Sequence, residues 1–392
     1  MNKTKLLRIT TVPISLKTLL KGQHRFMTER SFEVIGVSSE GEELNDVKKE
    51  EEIRIVPLEM TRTISPIQDI KSLYQFYKLC KKEKPLMVHS HTPKAGVVGM
   101  LGAKLAGVPI RLHTVAGLPL MEVTGFKRSI LNLVEKLTYH SATKVYPNSK
   151  GLYDFIVNEK FTSKSKLKVI GNGSSNGINT SFFSKENFPE SDLNDLKKNL
   201  RIVESDFVFI FVGRLVGDKG INELVHAFDK LENKIEKEIK LLLVGPFESE
   251  LDPLQNSTLQ IIKENKNIIS VGFQKDVRPY FAISNALVFP SYREGFPNVV
   301  MQAGAMELPS IVSNINGCNE IIEDGVNGVI IPVKNTEVIR TSMLRIVEDN
   351  DFYTLLKKNS REMIVTRYEQ QVVWNALLKE YNSLIEENNS KK

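Results

Sequence analysis

The sequence predicts an α/β protein made of two doubly wound domains, each built on a parallel sheet covered by helices. Short, almost wholly apolar segments recur along the chain, and segments with helical periodicity separate them. Strands that are apolar on both faces are typical of buried parallel sheets, in which helices form the crossovers. The length of 392 residues exceeds the usual size of one hydrophobic core, so two domains are expected.

Two series of apolar segments are predicted as strands. The first series is 6–12, 32–37, 86–90, 110–114, 144–147 and 168–170. The second series is 207–212, 239–244, 268–271, 286–289 and 310–312. Helical spacing of apolar residues follows the strands, for example at 69–82 and after 207–212. The polar segment 184–205 is predicted as the linker, which gives Rossmann-like domains at 1–188 and 189–365.

Two such domains are expected to face each other across a cleft. Doubly wound sheets bind ligands at the carboxyl ends of their strands. The loops that follow the strands are therefore the places where a functional site is expected.

Charge is unevenly divided along the chain. Residues 1–188 carry 29 Lys and Arg against 17 Asp and Glu, a net charge of +12, and the remainder carries 24 against 30, a net charge of −6. A basic domain predicts an anionic partner or surface. No nucleic-acid recognition motif is present, so an anionic membrane or a phosphorylated lipid is favoured over nucleic acid. A merely solvated lysine surface is the alternative.

Cysteine usage and hydropathy favour a reducing, cytoplasmic compartment. Cys80 and Cys318 form neither a Cys-x-x-Cys pair nor a metal-spaced cluster. The apolar stretch 95–110 is interrupted by Lys104 and is too short to span a bilayer. The charged amino terminus runs into a predicted strand without an apolar signal core.

One strand-end loop carries two cations among glycines, Gly213-Arg-Leu-Val-Gly-Asp-Lys-Gly220. Glycine lets a backbone approach a phosphate, the Arg214 guanidinium can fork onto two oxygens, and Lys219 adds a compact charge. A turn with surface charges is the alternative. Neither the P-loop pattern nor Gly-x-Gly-x-x-Gly is present, which argues against a P-loop enzyme and against a nicotinamide-dependent dehydrogenase.

A second loop, at 290–302, places the carboxylate of Glu294 between an apolar strand and a helix predicted to begin at Asn298. An Asn there can cap the helix, and Pro297 restricts the approach of the chain. The free amides of the first helical turn are a predicted anion site, and Gln302 lies one turn deeper on the same face. The pattern predicts a cradle for a sugar–diphosphate–ribose ligand, with an ordinary strand–turn–helix as the alternative.

Taken in chain order, these motifs resemble the donor half of the retaining family 4 glycosyltransferases, which have the GT-B fold. The motifs are Gly213-Arg214…Lys219-Gly220, Gly272-Phe273-Gln274 and Ser291…Glu294-Gly-Phe-Pro…Gln302. The resemblance covers nearly the whole chain. Asn176-Gly-Ile-Asn179 resembles the segment that closes the first domain, and 368–381 with Trp374 resembles the terminal helix, about 366–392, that crosses back onto it.

Two further segments resemble a narrower subgroup. His89-Ser-His91-Thr-Pro-Lys94 and Tyr292-Arg-Glu-Gly-Phe-Pro-Asn-Val-Val are similar to the enzymes that build bacterial capsule and O-antigen repeat units on undecaprenyl diphosphate. The resemblance implies that the acceptor is a polyprenyl-diphosphate-linked saccharide. Acceptor-side candidates are Gly22, His91, Lys94 and His113.

The resemblance also implies roles on the donor side. Arg214 and Lys219 would hold the donor diphosphate and neutralise the leaving charge, and Glu294 would contact hydroxyls of the transferred sugar. Other implied donor or nucleotide contacts are Gly213, Phe273, Gln274, Phe296, Pro297, Asn298, Val299 and Gln302. No metal cofactor is expected, because cationic side chains and helix amides take its place. The implied reaction retains the anomeric configuration, with the leaving phosphate accepting the proton of the acceptor.

Three positions depart from the family pattern. The second carboxylate of Glu-x7-Glu is replaced by Gln302, whose amide oxygen accepts a weaker hydrogen bond. Ala116 stands where many relatives have a loop histidine, and His113 three residues earlier is either a substitute or a structural residue. Lys21-Gly22 keeps only half of a double glycine.

The sequence therefore predicts a metal-independent glycosyltransferase, peripheral on the inner face of the cytoplasmic membrane. Its donor is expected to be a UDP-sugar and its acceptor a lipid-diphosphate-linked saccharide. One alternative is a non-hydrolysing UDP-sugar 2-epimerase of the same fold, which would need a carboxylate and a histidine placed for proton abstraction. Another is a catalytically weak subunit that only binds a nucleotide-sugar.

Overall fold

The computed structural model describes residues 3–61, 63, 65–118, 120, 123–232, 237–248, 250 and 252–391. The chain divides into two compact units. The first unit is Met1–Gly177 with Gln371–Lys392, and the second unit is Ile178–Gln370.

The structure gives the bounds of strands and helices in chain order. The strands are β1 Thr4–Ile9, β2 Phe32–Ser38, β3 Arg54–Pro57, β4 Met87–Ser90, β5 Ile110–Val115, β6 Lys144–Pro147, β7 Phe207–Val212, β8 Ile239–Val244, β9 Ile268–Gly272, β10 Ala286–Phe289, β11 Ser310–Ser313 and β12 Gly328–Ile331. The α-helices are α1 Pro13–Leu19, α2 Gln23–Thr28, α3 Glu43–Glu51, α4 Pro66–Glu83, α5 Pro93–Ala106, α6 Gly125–Ser141, α7 Lys150–Asn158, α8 Glu190–Asn199, α9 Ile221–Glu232, α10 Asn256–Glu264, α11 Arg278–Ala282, α12 Asn298–Ala305, α13 Cys318–Ile321, α14 Thr336–Glu348, α15 Asn350–Tyr368 and α16 Gln370–Asn389.

Each unit contains one parallel sheet with the same topology. The strand orders are β3-β2-β1-β4-β5-β6 in the first unit and β12-β11-β10-β7-β8-β9 in the second. Numbered within its own unit, each sheet has the doubly wound order 3-2-1-4-5-6. The two parallel α/β sheets predicted from the sequence are confirmed.

Helices cover both faces of each sheet. In β1, Leu6 packs into one core of the first unit, while Leu7 and Ile9 pack into the other. The second unit buries all of β7 except its last residue, Val212. These doubly buried strands are the reason why the apolar runs could be read directly from the sequence.

Strand prediction was wrong at three places. Residues 168–170 form no strand, and only Leu167 pairs with Val145 in an isolated bridge. β3 and β12 were not predicted, although each is paired in its sheet. Both are edge strands with partly exposed residues. β3 has only Ile55 and Val56 between Arg54 and Pro57, whereas the Val-Ile-Ile run of β12 is apolar and was overlooked.

The polar segment 184–205 is folded and does not form an extended linker. It contains α8, and Leu193 and Leu196 of this helix pack on the core of the second unit. Residues just before it also belong to this unit, because Ile178 pairs with Glu369. The unit boundary therefore lies at Gly177, ahead of the predicted position at 188.

Most of α16 belongs to the first unit. The Trp374 ring lies 5.3 Å from that of Phe26, and its indole N–H donates to Asn176 Oδ1 at 2.7 Å. Among the described residues, we find no helix with both the length and the apolar character needed to cross a membrane.

Candidate active site

The strand order of the second unit reverses between β7 and β10, which pair at Ile210 and Leu287. Residues 213–220 follow β7, and residues 290–297 follow β10. Doubly wound sheets bind their ligands at such a switch point, outside the carboxyl ends of the strands. Both motifs that were predicted to hold a donor therefore lie where this fold binds ligands.

Two glycines allow close approach of the loops. Gly220 has φ +71°, and a Cβ on it would lie 2.3 Å from the carbonyl oxygen of Pro290. Gly317, after β11, has φ +77°, and its Cβ would lie 2.6 Å from the carbonyl oxygen of Gly295. A side chain at either position would separate the loops, so glycine is required for the packing of this edge.

Lys219 and Glu294 form the centre of the site. Lys219 Nζ lies 2.5 Å from Glu294 Oε1, and the two side chains are only 15% and 17% exposed. Ser291 Oγ also donates to Glu294 Oε1 at 3.0 Å. Asn316 Nδ2 donates to the carbonyl oxygens of Glu294 at 3.2 Å and Gly295 at 2.5 Å. The predicted phosphate cation and the predicted sugar-binding carboxylate are thus brought together, and their positions are held by neighbours from three loops.

The other cations of these loops also face carboxylates. Arg214 Nη1 lies 3.0 Å from Glu248 Oε2, on the loop after β8. Arg293 Nη2 lies 2.9 Å from Asp218 Oδ2. Arg214 is therefore in a pair of its own, separate from the pair at Lys219. Each of these three ion pairs at the carboxyl edge joins one positive to one negative side chain and so has no net charge.

Helix α12 begins at Asn298, as predicted, but the predicted Asn cap is wrong. The capping position is Pro297, no side chain caps the helix, and the Asn298 side chain is exposed. The amide of Val300 donates to the carbonyl oxygen of Pro297 at 3.2 Å, so it is not one of the free donors. Gln302 is half-buried one turn into the helix. Of the three backbone amides at this helix start, only those of Asn298 and Val299 are left for the predicted anion site.

The residues predicted to contact the nucleotide differ in their environment. Phe273 follows β9 and is 74% exposed, so its ring is open to a ligand. Gln274 Nε2 donates to the carbonyl oxygen of Val271 at 2.8 Å, which directs this side chain back to its own strand. The Phe296 ring packs 5.4 Å from that of Tyr368 and is a packing residue. The side chains of Gln274 and Phe296 are therefore occupied, and their backbones are what a ligand could contact.

Sequence reasoning missed several residues of this edge. Glu248 and Asp252 follow β8, and Asn316 and Gly317 follow β11. Asp252 Oδ2 accepts the amide of Asp218 at 2.6 Å and so shapes the turn before Lys219. The Asn-Gly pair after an apolar strand was a turn signal that could have been used, whereas nothing local marks a carboxylate as a partner of a distant loop.

Cys318 lies beside the Lys219–Glu294 pair. Burial raises the pKa of its thiol well above the ordinary value, with the Glu294 carboxylate adding to the effect. This environment favours the neutral thiol over the reactive thiolate. Within the part of the chain that the structure describes, no group of three or more His, Cys, Asp or Glu side chains could hold a metal ion.

In the first unit, His91 lines a small cavity of about 20 Å³ together with Asn148, Ser175 and apolar residues such as Leu377. Buried atoms of all three, His91 Nε2, Asn148 Oδ1 and Ser175 Oγ, have no hydrogen-bond partner among the described residues. Burial lowers the pKa of His91 well below its ordinary value, and the nearby His89 adds to this, so the ring is neutral. A cavity of this size and polarity fits one water or hydroxyl oxygen.

His113 has a structural environment. Its Nδ1 lies 2.8 Å from Ser90 Oγ, and its ring leaves no room for a Cβ on Gly96, which would lie 2.6 Å from Cε1. Burial lowers the pKa of His113 to about 4. The geometry supports the structural alternative for this residue.

Lys94 and Gly22 are also engaged within the first unit. Lys94 Nζ lies 2.5 Å from Asp69 Oδ2, a contact that joins α5 to α4. The amide of Gly22 donates to Glu51 Oε1 at 2.5 Å. Gly22 has φ +78°, and a Cβ there would lie 2.6 Å from the Trp374 ring. The geometry gives both residues a structural explanation, which does not require an acceptor.

Comparison with known proteins identifies the family. The profile "Glycosyl transferases group 1" matches residues 192–363, and "Glycosyl transferase 4-like" matches residues 15–149. The chain is 33% identical over 392 residues to the capsular polysaccharide biosynthesis glycosyltransferase CapM of Staphylococcus aureus, and the match covers 100% of both chains. The chain belongs to the family 4 glycosyltransferases.

Two further similarities extend this result. The glycosyltransferase is 29% identical over 374 residues to the UDP-Gal:alpha-D-GlcNAc-diphosphoundecaprenol alpha-1,3-galactosyltransferase of Escherichia coli, covering 92% of this chain and 93% of that one. Its fold is similar to that of Anabaena Alr3699/HepE in complex with UDP, with a TM-score of 0.80 at 16% identity over 97% of this chain and 100% of that one. The predicted GT-B fold class is confirmed, and the relatives support a place in surface polysaccharide synthesis.

Proposed function

We propose that this glycosyltransferase moves a sugar from a UDP-sugar to a saccharide linked to a polyprenyl diphosphate. The buried pair of Lys219 and Glu294 at the switch point is the observation that carries the proposal. In this proposal Lys219 is the cation for the leaving diphosphate, and Glu294 is the carboxylate for the sugar hydroxyls. The printed name of the Escherichia coli relative specifies both a UDP-sugar donor and a diphosphoundecaprenol-linked acceptor, which supports the same chemistry here.

In the proposed reaction the donor C1–O bond to phosphate breaks and a C1–O bond to the acceptor hydroxyl forms on the same face of the sugar. The acceptor proton passes to the leaving phosphate oxygen, so the anomeric configuration is retained. Lys219 and Arg214 stabilise the negative charge that develops on the diphosphate. These two cations provide the charge stabilisation that a divalent ion supplies in other transferases, and we propose that no metal is needed.

Glu294 is suited to orient the sugar because its own orientation is restrained. Lys219 and Ser291 both contact Oε1, and the backbone carbonyl is held by Asn316. A restrained carboxylate accepts hydroxyl hydrogen bonds without losing conformational freedom when the substrate arrives. Gln302 is proposed to contact the ribose, and Phe273 is an exposed surface for the base.

The donor can be identified by thermal shift with UDP-, GDP- and dTDP-sugars. A ligand at 100 times its Kd stabilises the folded protein by about 2.7 kcal/mol, which is measurable as a rise in Tm. We expect UDP-sugars to give the largest rise. A rise with GDP-sugars alone would replace the proposed nucleotide, and no rise with any of them would contradict donor binding.

A 2-epimerase and a transferase differ in what happens to the proton at C2 of the sugar. An epimerase abstracts that proton, so it exchanges with solvent in D₂O. The histidine candidates of the first unit are neutral and buried, and Glu294 is paired, so the described residues show no base prepared for this step. We expect no deuterium at C2 after incubation with the UDP-sugar, as measured by mass spectrometry.

The second alternative, a subunit that only binds a nucleotide-sugar, is distinguished from a transferase by measuring the product. A binding subunit would raise its Tm with the donor and yet release no UDP when acceptor lipid is added. The transferase releases UDP only in the presence of the acceptor.

We also propose that the first unit binds an anionic membrane surface. Helix α6 has an exposed apolar stripe, Phe126, Ile130, Leu133 and Leu137, at one-turn spacing. Phe126 is 82% and Leu133 69% exposed. Such a stripe normally faces a protein core, so its exposure marks an interaction surface.

Neighbouring helices extend this surface and add positive charge. α5 packs against both α6 and α4. On α4, Ile67, Ile70 and Tyr74 are exposed, and so are Lys71, Lys78, Lys81 and Lys82. Lys127 is exposed at the start of α6, whereas Arg128 is paired with Glu159 at 3.2 Å. Cations beside exposed apolar side chains fit an anionic lipid surface better than charge alone does.

Binding to anionic liposomes should therefore have two components. Raising the salt concentration should weaken binding by screening the lysines, and an apolar component should remain. Replacing Phe126 and Leu133 by serine should weaken membrane binding at least about tenfold at any salt concentration. Each of these side chains would contribute about 1.5–3 kcal/mol when it becomes buried in the membrane. Cosedimentation with anionic vesicles measures both effects.

The matched control is the double serine replacement of Val203 and Leu259, which are exposed in the second unit. It should bind as the wild type does. Equal partitioning of the wild type to neutral and anionic vesicles, or to neither, would show that the basic surface only keeps the protein in solution.

A further inference from the structure

A carboxylate from the loop after β8 accepts a hydrogen bond from the guanidinium that is proposed to bind the donor diphosphate. Arg214 Nη1 lies 3.0 Å from Glu248 Oε2, and the two side chains are 44% and 31% exposed. A guanidinium offers its N–H groups in one planar fork, so a carboxylate and a phosphate compete for the same donors. The competition is built into the fold, because the amide of Leu215 donates to the carbonyl oxygen of Pro246 at 2.8 Å and joins the two loops.

A second carboxylate of the same loop has a different role. Asp252 Oδ2 accepts the amide of Asp218 at 2.6 Å, and the Asp252 carbonyl oxygen accepts the amide of Gly217 at 3.2 Å. A Cβ on Gly217 would lie 2.9 Å from Asp252 Oδ2, so the turn and the carboxylate are in close contact. Asp252 therefore shapes the backbone that leads to Lys219.

We propose that Glu248 is an internal competitor of the donor diphosphate for Arg214 and lowers the affinity for nucleoside diphosphates. Asp252 is a positioning residue that raises the same affinity. The inference rests on the proposed function, since it takes the diphosphate as the group that displaces Glu248. Binding of the diphosphate requires the Arg214–Glu248 pair to open. The apparent affinity is therefore the intrinsic affinity multiplied by the fraction of molecules in which the pair is open.

This competition has a consequence for turnover. Glu248 keeps the guanidinium ordered when no donor is present. After transfer it competes again for Arg214, which favours release of the nucleoside diphosphate. Product release is rate-limiting in many enzymes, so a carboxylate at this position increases the rate at which the site becomes free.

The test is titration calorimetry of the full chain with UDP. Glu248→Gln should bind UDP about two- to fivefold more tightly, because a partly exposed ion pair contributes a factor of up to about five. Asp252→Ala should bind UDP at least about threefold more weakly, with a melting temperature measured alongside. The matched control is Glu250→Gln, which removes the same charge from an exposed position of the same loop, and it should bind as the wild type does.

The double variant Glu248→Gln with Arg214→Ala isolates the pair. It should bind UDP no more tightly than Arg214→Ala alone, because the competition needs both partners. Unchanged or weaker binding by Glu248→Gln, or equal tightening by Glu250→Gln, would overturn the inference while leaving the proposed function intact. A wild type that binds no nucleoside diphosphate would contradict the proposed function itself.

Discussion

Lys219→Ala should lower turnover by about 10²–10³, the usual effect of removing one group that stabilises developing charge. Lys219 is mostly buried beside Glu294, and its loss removes the cation paired with the carboxylate that is proposed to bind the sugar. Arg214→Ala should have an effect in the same range. Steady-state kinetics with saturating acceptor and donor measures both changes.

The control for these variants is Lys263→Ala, a charge removal at an exposed position of α10. It should retain wild-type turnover. Lys219 and Arg214 lie on a loop outside the core, so circular dichroism should show that both variants fold. Turnover within about threefold of the wild type for both variants would contradict the assignment of these cations to the leaving group.

Glu294→Gln should lower turnover far more than it lowers affinity for the donor. The carboxylate is proposed to bind hydroxyls of the sugar, where hydrogen bonds tighten as the glycosidic bond breaks. We expect a loss of about 10² or more in kcat, with the donor KM changed by less than about threefold. The variant also loses the charge pair with Lys219, so its melting temperature must be measured as well.

Gln302 should behave in the opposite way, because the ribose does not change during the reaction. Gln302→Ala should raise the donor KM with little effect on kcat, as expected for an interaction made equally in the ground and transition states. Gln302→Glu should be tolerated and bind the donor as well or more tightly, since a charged oxygen accepts a stronger hydrogen bond. If Gln302→Ala damages turnover and Glu294→Gln is nearly silent, the two roles are exchanged.

The fold was predictable because its central strands are buried on both sides. β7, β8 and β10 were predicted with the bounds that the structure shows. β7 and β10 are continuous apolar runs, and β8 is interrupted only by Lys240. The edge strand β3 was missed because it has only two apolar residues between Arg54 and Pro57, and β12 was missed although residues 329–331 are apolar. Whether a short segment pairs depends on a partner that is distant in sequence, which a local pattern cannot reveal.

The same distinction holds for the site. Glu294 and Lys219 were predicted from motifs that lie on two strand-end loops, and the shared topology brings those loops together. The pairing of Arg214 with Glu248 depends on side chains that meet across loops, and neither residue carries a local signal for the other. The predicted cap at Asn298 failed for a related reason, since the helix starts directly after Pro297 and leaves the side chain exposed.

The histidines of the first unit show that a residue predicted from a motif can prove to be buried in the structure. His91 was a candidate because of the motif that contains it, and His113 because it lies three residues before the position of the family's loop histidine. The structure buries both within the first unit. The packing of His113 against Gly96 gives it a structural explanation, whereas His91 keeps an Nε2 that is unpaired among the described residues and stays a candidate. Only the three-dimensional environment separates such a residue from a ligand.

The most direct test of the central claim is transfer of a radiolabelled sugar to a lipid. The donor is the UDP-sugar that gives the largest thermal shift, and the acceptor is an undecaprenyl-diphosphate-linked saccharide in anionic vesicles. We predict labelled lipid with the anomeric configuration of the donor, at a rate unchanged by EDTA and strongly reduced in Lys219→Ala. An unlabelled lipid fraction, together with a donor epimerised at C2 or left intact, would contradict the account.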